Sequence, residues 1–179
     1  MGALRSQDKV NLIVGLLSKD VSIFHKVEKR LGRTYGRIDF ESGILDFTHT
    51  EYYKDEMGEG LKRKFVSFEK PVGLKNIWDA KIETNKLEKR FLVDGNRTVN
   101  IDPGYLTLSK LILFSTKDYS HRIYLNRGIF AEITLFYKDR RYNPWPWTYP
   151  DYRSKPYIDI FGSIRELYKK KISKAGIKP

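Results

Sequence analysis

The stretch Val10–Leu17, VNLIVGLL, constrains the fold more than any other part of this chain. An unbroken apolar run of strand length has no polar face to offer water, so it must be covered on both sides, as an interior strand is. It falls far short of the roughly 20 residues that a membrane-spanning helix needs. No other apolar run approaches that length either, and no membrane partner is expected. The chain reads as a globular protein with a sheet at its centre. Its 179 residues suit a single domain, residues 1–179, large enough to bury about 70% of the surface its unfolded form exposes.

The residues after the run switch period. Ser18 or Asp20 can cap a helix, and Val21, Phe24, Val27 and Leu31 recur at helical spacing until Gly32–Gly36 ends it. RIDFESGILDF reads as an irregular second strand, with Gly43 as a bulge. LKRKFVSFE alternates as a strand that places Lys62, Lys64, Val66 and Phe68 on one face. Ile77, Ala80, Thr84, Leu87 and Phe91 then predict a helix to about Leu92, followed by a DGN turn and a short strand TVNID. That order, βαββαβ, is the split-βαβ pattern of an α+β, ferredoxin-like sandwich, an antiparallel sheet with its helices on one face. Beyond it, LTLSKLILFST is read as a short helix on the spacing of Leu108, Leu111, Ile112 and Ser115. HRIYL and IFAEITLFY form a C-terminal hairpin about NRG. YNPWPWTYPDYRSKP is a Pro/aromatic loop, read with a cis Trp145–Pro146 bond, and a final amphipathic helix carries Tyr157, Ile160, Phe161, Ile164, Leu167 and Tyr168.

Composition narrows the chemistry. The absence of cysteine excludes disulfides, thiolate nucleophiles and thiolate metal sites together. The opening MGALRSQDKV contains no apolar signal core, so the cytoplasm is the expected location. One Gln, no Cys and two Met beside abundant Lys and Glu resemble the usage of heat-adapted proteins. Of the net charge of +12, residues 165–179 carry +5. Cations at the end of a helix complement its dipole, so this tail is read as a solvated helix end.

Several segments together carry a family likeness: EMGEGLKRKFVSFEK, NIDPGYLTLSKLIL, STKDYSHRIYL, IFAEITLFY and PWTYPDYR. Over nearly its whole length the chain resembles the prokaryotic domain-of-unknown-function family 4416, to which no reaction is assigned. Some members bear a loose GTP-binding label, and the residues test it. A P-loop needs a Gly-rich turn ending in Lys-Ser/Thr before a helix. The nearest stretch here, GEGLKRK, has no hydroxyl after its lysine and enters a strand. In TKDY the aspartate, Asp118, comes one residue too early for guanine recognition. A GTPase is excluded.

Three groups of residues can carry chemistry. In STKDYSHR, His121 beside Asp118 is the arrangement for general acid–base work, while Lys117, Arg122 and the upstream Lys110 can hold an anion. Strand alternation offers another reading, in which His121 points inward with Ile123 and Leu125 as a hydrogen-bonded core residue. The loop HTEYYKDEMGEG gathers His49, Glu51, Asp55, Glu56 and Glu59. Its acids are read as balancing Lys62, Arg63 and Lys64 rather than holding a metal, and Tyr53 with Glu56 can cover a ligand. Asp102, Glu132 and Glu83 complete the set. Asp102 reads as a turn residue before Pro103–Gly104, or as half of a carboxylate pair if it neighbours Glu132, and Glu132 on a largely apolar face needs a cation such as Arg122.

The sequence thus points first to a pocket for a small anionic ligand, a nucleotide or sugar phosphate, with turnover left open. His121 and Asp118 are its candidate acid–base groups, and Lys110, Lys117, Arg122, Tyr53, Glu56, Asp102 and Glu132 its candidate binding groups. No metal site and no cofactor fingerprint is present. The alternatives are an RNA-binding module that stacks bases on exposed aromatics and a protein-interaction domain using the Pro/aromatic loop. An enclosed polar cleft favours the ligand pocket, and an exposed aromatic sheet face with basic margins favours RNA binding.

Overall fold

The structure, a computed structural model, describes residues 9–48 and 54–176, leaving aside the side chains at 54 and 55. In chain order it forms β1 (Lys9–Ser18), α1 (Ser22–Tyr35), β2 (Ile38–Glu41), β3 (Leu45–Asp46), α2 (Lys54–Met57), β4 (Lys62–Phe68), β5 (Val72–Gly73) and α3 (Asp79–Glu88). There follow β6 (Leu92–Val93), β7 (Asn96–Arg97), β8 (Val99–Leu106), β9 (Lys110–Ser115), β10 (Ile123–Asn126), β11 (Ile129–Lys138), β12 (Arg141–Pro144) and α4 (Lys155–Lys174). The architecture is α+β. One large sheet runs in the order β10-β11-β9-β8-β1-β4-β2, with antiparallel pairing throughout, and β3, β5 and β12 attach to β4, β1 and β11.

The apolar run lies in β1, which is interior, paired on one side with β4 and on the other with β8. Leu12, Val14 and Leu16 face α1 and α3, in a core with Phe24, Val27, Leu31 and Leu87. Ile13, on the opposite face, joins Phe65, Leu111, Leu135 and the α4 residues Tyr157, Phe161 and Ile164. Each such side chain, fully buried, is worth roughly 1.5–3 kcal/mol. The two helices of the βαββαβ portion, α1 and α3, share one face, and the final helix α4 covers the other. Two of the cations counted as a solvated tail are docked with it. Arg165 donates to the Leu108 carbonyl and lies over the Tyr137 ring, and Lys171 bonds Asn11, Phe68 O and Asp39, each at 2.7 Å.

The segment read as a short helix is a strand. Leu111 and Leu113 pack on the α4 face while Ile112 and Phe114 pack on the other, a period of two. Thr107 makes the preceding turn, its hydroxyl accepting from the Ser109 and Lys110 amides. Residues 145–146 are joined by a trans bond, since there are no cis peptides among the described residues. The β10–β11 hairpin forms as its turn residues require, with Arg127 and Gly128 both at positive φ, which suits a two-residue turn.

Two glycines shape the middle of the sheet. A Cβ on Gly104 would overlap the Ile112 carbonyl oxygen, so only glycine lets β8 and β9 meet there. Their ladder runs only from Gly104 to Leu106 on β8, although β8 stays paired with β1 from Val99 onward. Upstream of Gly104 the two strands part. At the centre of β1, a Cβ on Gly15 would come within 3.2 Å of an Arg63 terminal nitrogen, and its absence lets that guanidinium lie across the sheet.

Candidate functional site

The gap where β8 leaves β9 is a cavity of about 680 Å³, within the usual range for small-molecule sites. Its walls come from β4, α3, β8, β9, β11 and the loop before α4. Among the described residues, six cationic side chains (Arg63, Lys81, Lys89, Arg97, Lys117, Arg122) and four acidic ones (Glu88, Asp102, Glu132, Asp151) line it.

Having lost β9, this part of β8 has backbone groups without a strand partner, and α3 supplies side chains in its place. Glu88 accepts from the Ile101 amide at 2.7 Å, and the Lys81 ammonium donates to the Ile101 carbonyl at 3.0 Å. Lys81 also donates to Asp102 Oδ1 at 3.3 Å. Asp102 Oδ2 accepts from Asn100 Nδ2 at 2.6 Å and from Arg63 at 3.4 Å. Arg63, 2% exposed, reaches Asp151 with its other terminal nitrogen at 3.6 Å and lies against the Phe47 ring. Arg97 bonds Glu88 and Asn100, and on its other side grips Glu56 of α2 with two nitrogens.

This network separates the protonation states of its carboxyls. Burial alone would raise Asp102, but Lys81 and Arg63 outweigh it and hold its pKa below the ordinary value, so Asp102 stays ionised. Burial prevails at Asp151 and at Glu88, whose pKa values lie above the ordinary one despite Arg63 and Lys81. The hydrogen bond from Arg97 dominates at Glu56 and lowers its pKa. Carboxyls pushed in opposite directions within one cleft are the raw material of acid–base chemistry. Among the described residues no three His, Cys, Asp or Glu side chains converge as a metal-ligand set.

The opposite wall carries part of STKDYSHR. Arg122 uses four of its five N–H donors within the wall: it donates to Glu132 at 2.8 Å, Ser115 Oγ at 3.0 Å, Lys117 O at 2.9 Å and Tyr149 Oη at 2.9 Å. It organises the wall and leaves a ligand little to bind. The partnership demanded for Glu132 is thus met by Arg122, with His121 Nε2 at 3.3 Å beside it. His121 does not point inward with Ile123, because β10 is the sheet's edge and Ile123 is 69% exposed. Its ring lies between Tyr119 and Trp147, stacked on both, behind the cavity wall and not on its lining.

Asp118, Lys110, Glu83 and Glu56 likewise lie off the lining, whereas Lys117, Asp102 and Glu132 are on it. Asp102 and Glu132 are not on neighbouring strands, since β9 separates β8 from β11, and Asp102 sits within β8 and not in a turn. Tyr53, with His49 and Glu51, falls outside the described residues, as does the side chain of Asp55. In GEGLKRK, Lys62 pairs with Asp46 and Lys64 with Glu28 and Glu41, away from the cavity. Reading residue by residue missed Arg63, Lys81, Glu88, Asn100 and Asp151.

The family model for the domain of unknown function DUF4416 matches residues 8–168, most of the chain and every element that builds the cleft. The chain belongs to that family. No curated protein and no solved structure matches it.

Proposed function

We propose that this member of family 4416 binds a small anionic ligand, a phosphorylated one above all, in the cleft between β8 and β9, with turnover by the carboxyl groups beside it. The observation that carries the reading is the cleft's own charge: six cations face four acids around a cavity of ligand size. Oriented charges in such a site hold a complementary ion without reorganising. We also read the core as a ferredoxin-like sandwich, supported by the order β8-β1-β4-β2 with α1 and α3 as its two crossovers, and place the protein in the cytoplasm. Among the described residues no helix is long and apolar enough to cross a membrane.

The alternatives have less behind them. Base stacking on the sheet, as RNA-binding domains of this shape use, is disfavoured by helices over both sheet faces. The Pro/aromatic loop is tied inward by Thr148 to Thr134 O at 2.6 Å and by Trp147 to Ile133 O at 3.0 Å, which suits a wall better than a docking arm.

The test is calorimetry with a panel of phosphates and carboxylates and their neutral counterparts. Binding of an anion that is lost in Asn85→Trp, which fills the cleft from α3, and kept in Lys64→Ala supports the reading. Failure of the whole panel, or binding that survives Asn85→Trp, refutes it.

A further inference from the structure

The cleft is not uniformly charged. Its floor holds the buried Arg63, Lys81, Asn100 and Asp151 with the partly buried Asp102 among them, two cations against two acids with an amide between, while buried Glu88 beside them is paired with Arg97. These groups already bond one another, and 23% of the Asp102 side chain is exposed although both its oxygens are engaged. A multiply charged phosphate pushed to this depth would meet Asp102, which is ionised, and would lose its hydration against a balanced set of charges. Hydroxyl groups suit the floor far better. A hydroxyl donates to a carboxylate and accepts from an ammonium or amide at once, and a neutral group loses little on burial when it is so bonded. The rim is different: Lys89 and Lys117, both exposed, line the mouth on opposite walls, one just after α3 and one just after β9. Among the described residues no carboxylate that lines the cleft is exposed, so the formal charge they give the rim is positive.

Resting on the proposal of an anion-binding cleft, we infer that the ligand is a phosphorylated polyol, bound with its hydroxyls on the Lys81–Asn100–Asp102 floor and its phosphate at the Lys89–Lys117 rim. Either a free sugar phosphate or the ribose phosphate of a nucleotide has this chemistry. The exposed rim rings Tyr119 and Tyr149 offer a planar base a place that a free sugar phosphate does not use.

Calorimetry with ribose 5-phosphate, adenosine 5′-monophosphate, ribose and inorganic phosphate tests the polarity. One or both of the phosphorylated ribose compounds should bind at least tenfold tighter than inorganic phosphate. The double variant Lys89→Glu/Lys117→Glu, both changes at exposed positions, should cost the better of them at least tenfold. Asp102→Asn should lower its affinity while leaving inorganic phosphate within about twofold, and circular dichroism with thermal melting confirms that each variant is folded. Tighter binding of the nucleotide assigns the rim rings to a base; equal binding assigns the sugar phosphate alone. Inorganic phosphate binding as tightly as both phosphorylated ribose compounds, or affinity that depends on Asp102 for phosphate itself, overturns the inference. If anions then still bind in the cleft and are lost in Asn85→Trp, the inference alone has failed; if none binds, both readings have.

Discussion

Replacing Arg63 with methionine should be among the most damaging changes the fold can suffer, and the damage should come chiefly from one carboxyl. The side chain is buried and bridges Asp102 and Asp151. After Arg63→Met, Asp102 keeps Lys81 and Asn100. Asp151 keeps backbone N–H groups but loses the Arg63 charge that holds its pKa down. Breaking a buried pair costs about 3–5 kcal/mol. The two contacts, 3.4 and 3.6 Å, are longer than good charge-assisted bonds, which places the loss near the low end, about 3 kcal/mol. In urea titrations at pH 7 that is a midpoint lowered by about 1–2 M.

The pH dependence identifies the cause. Asp151 already has a folded pKa above its unfolded value, so its ionisation opposes folding, and stability from this group rises as pH falls through the folded pKa. Without Arg63 that pKa climbs further. The deficit should therefore be largest near neutrality and shrink on acidification toward pH 5, and Asp151→Asn added to Arg63→Met should restore at least half of it at pH 7. A loss below about 1 kcal/mol, or a deficit that grows toward acid, would refute the reasoning.

Gly104→Ala should destabilise by about 1–3 kcal/mol, since the added Cβ must push β9 from β8; a midpoint equal to wild type in the same titration would mean the strands have slack. On the other wall, Arg122→Met should cost about 3 kcal/mol because it strands buried Glu132, while His121→Gln, giving up one 3.3 Å contact, should cost under about 1 kcal/mol. Equal losses from the two would show that His121 holds that wall as much as Arg122 does.

The layout of the fold was largely legible, because hydrophobic period survives in sequence wherever one face of an element is buried. The apolar run announced an interior strand, and the helical spacing of Phe24, Val27 and Leu31 announced the face that packs on it. The β9 segment was misread because Leu108, Leu111, Ile112 and Ser115 coincide with helical spacing, and only tertiary pairing with β11 and β8 resolves the ambiguity. The cleft was less legible. It exists because two strands part, and parting is not a pattern in one strand. Arg63 was hidden inside a basic run, although it shares its strand face with Phe65 and Ser67 while Lys62 and Lys64 take the other, and an arginine on an apolar face is a signal. Lys81 and Glu88, seven residues apart on one side of α3, gave a fainter one.

Because α3 stands in for the missing strand, the amide hydrogen of Ile101 is tied to a carboxylate and not to a sheet neighbour. Its exchange with solvent deuterium therefore reports the docking of α3 and not the opening of the sheet. The amides of Leu16 and Leu17 on β1, which lies between β4 and β8, should exchange only when the sheet itself opens. A ligand that engages Lys81 and steadies α3 should slow Ile101 while leaving β1 unchanged. One backbone proton at the lip of the sheet would then serve as a native, label-free gauge of whether the cleft is filled.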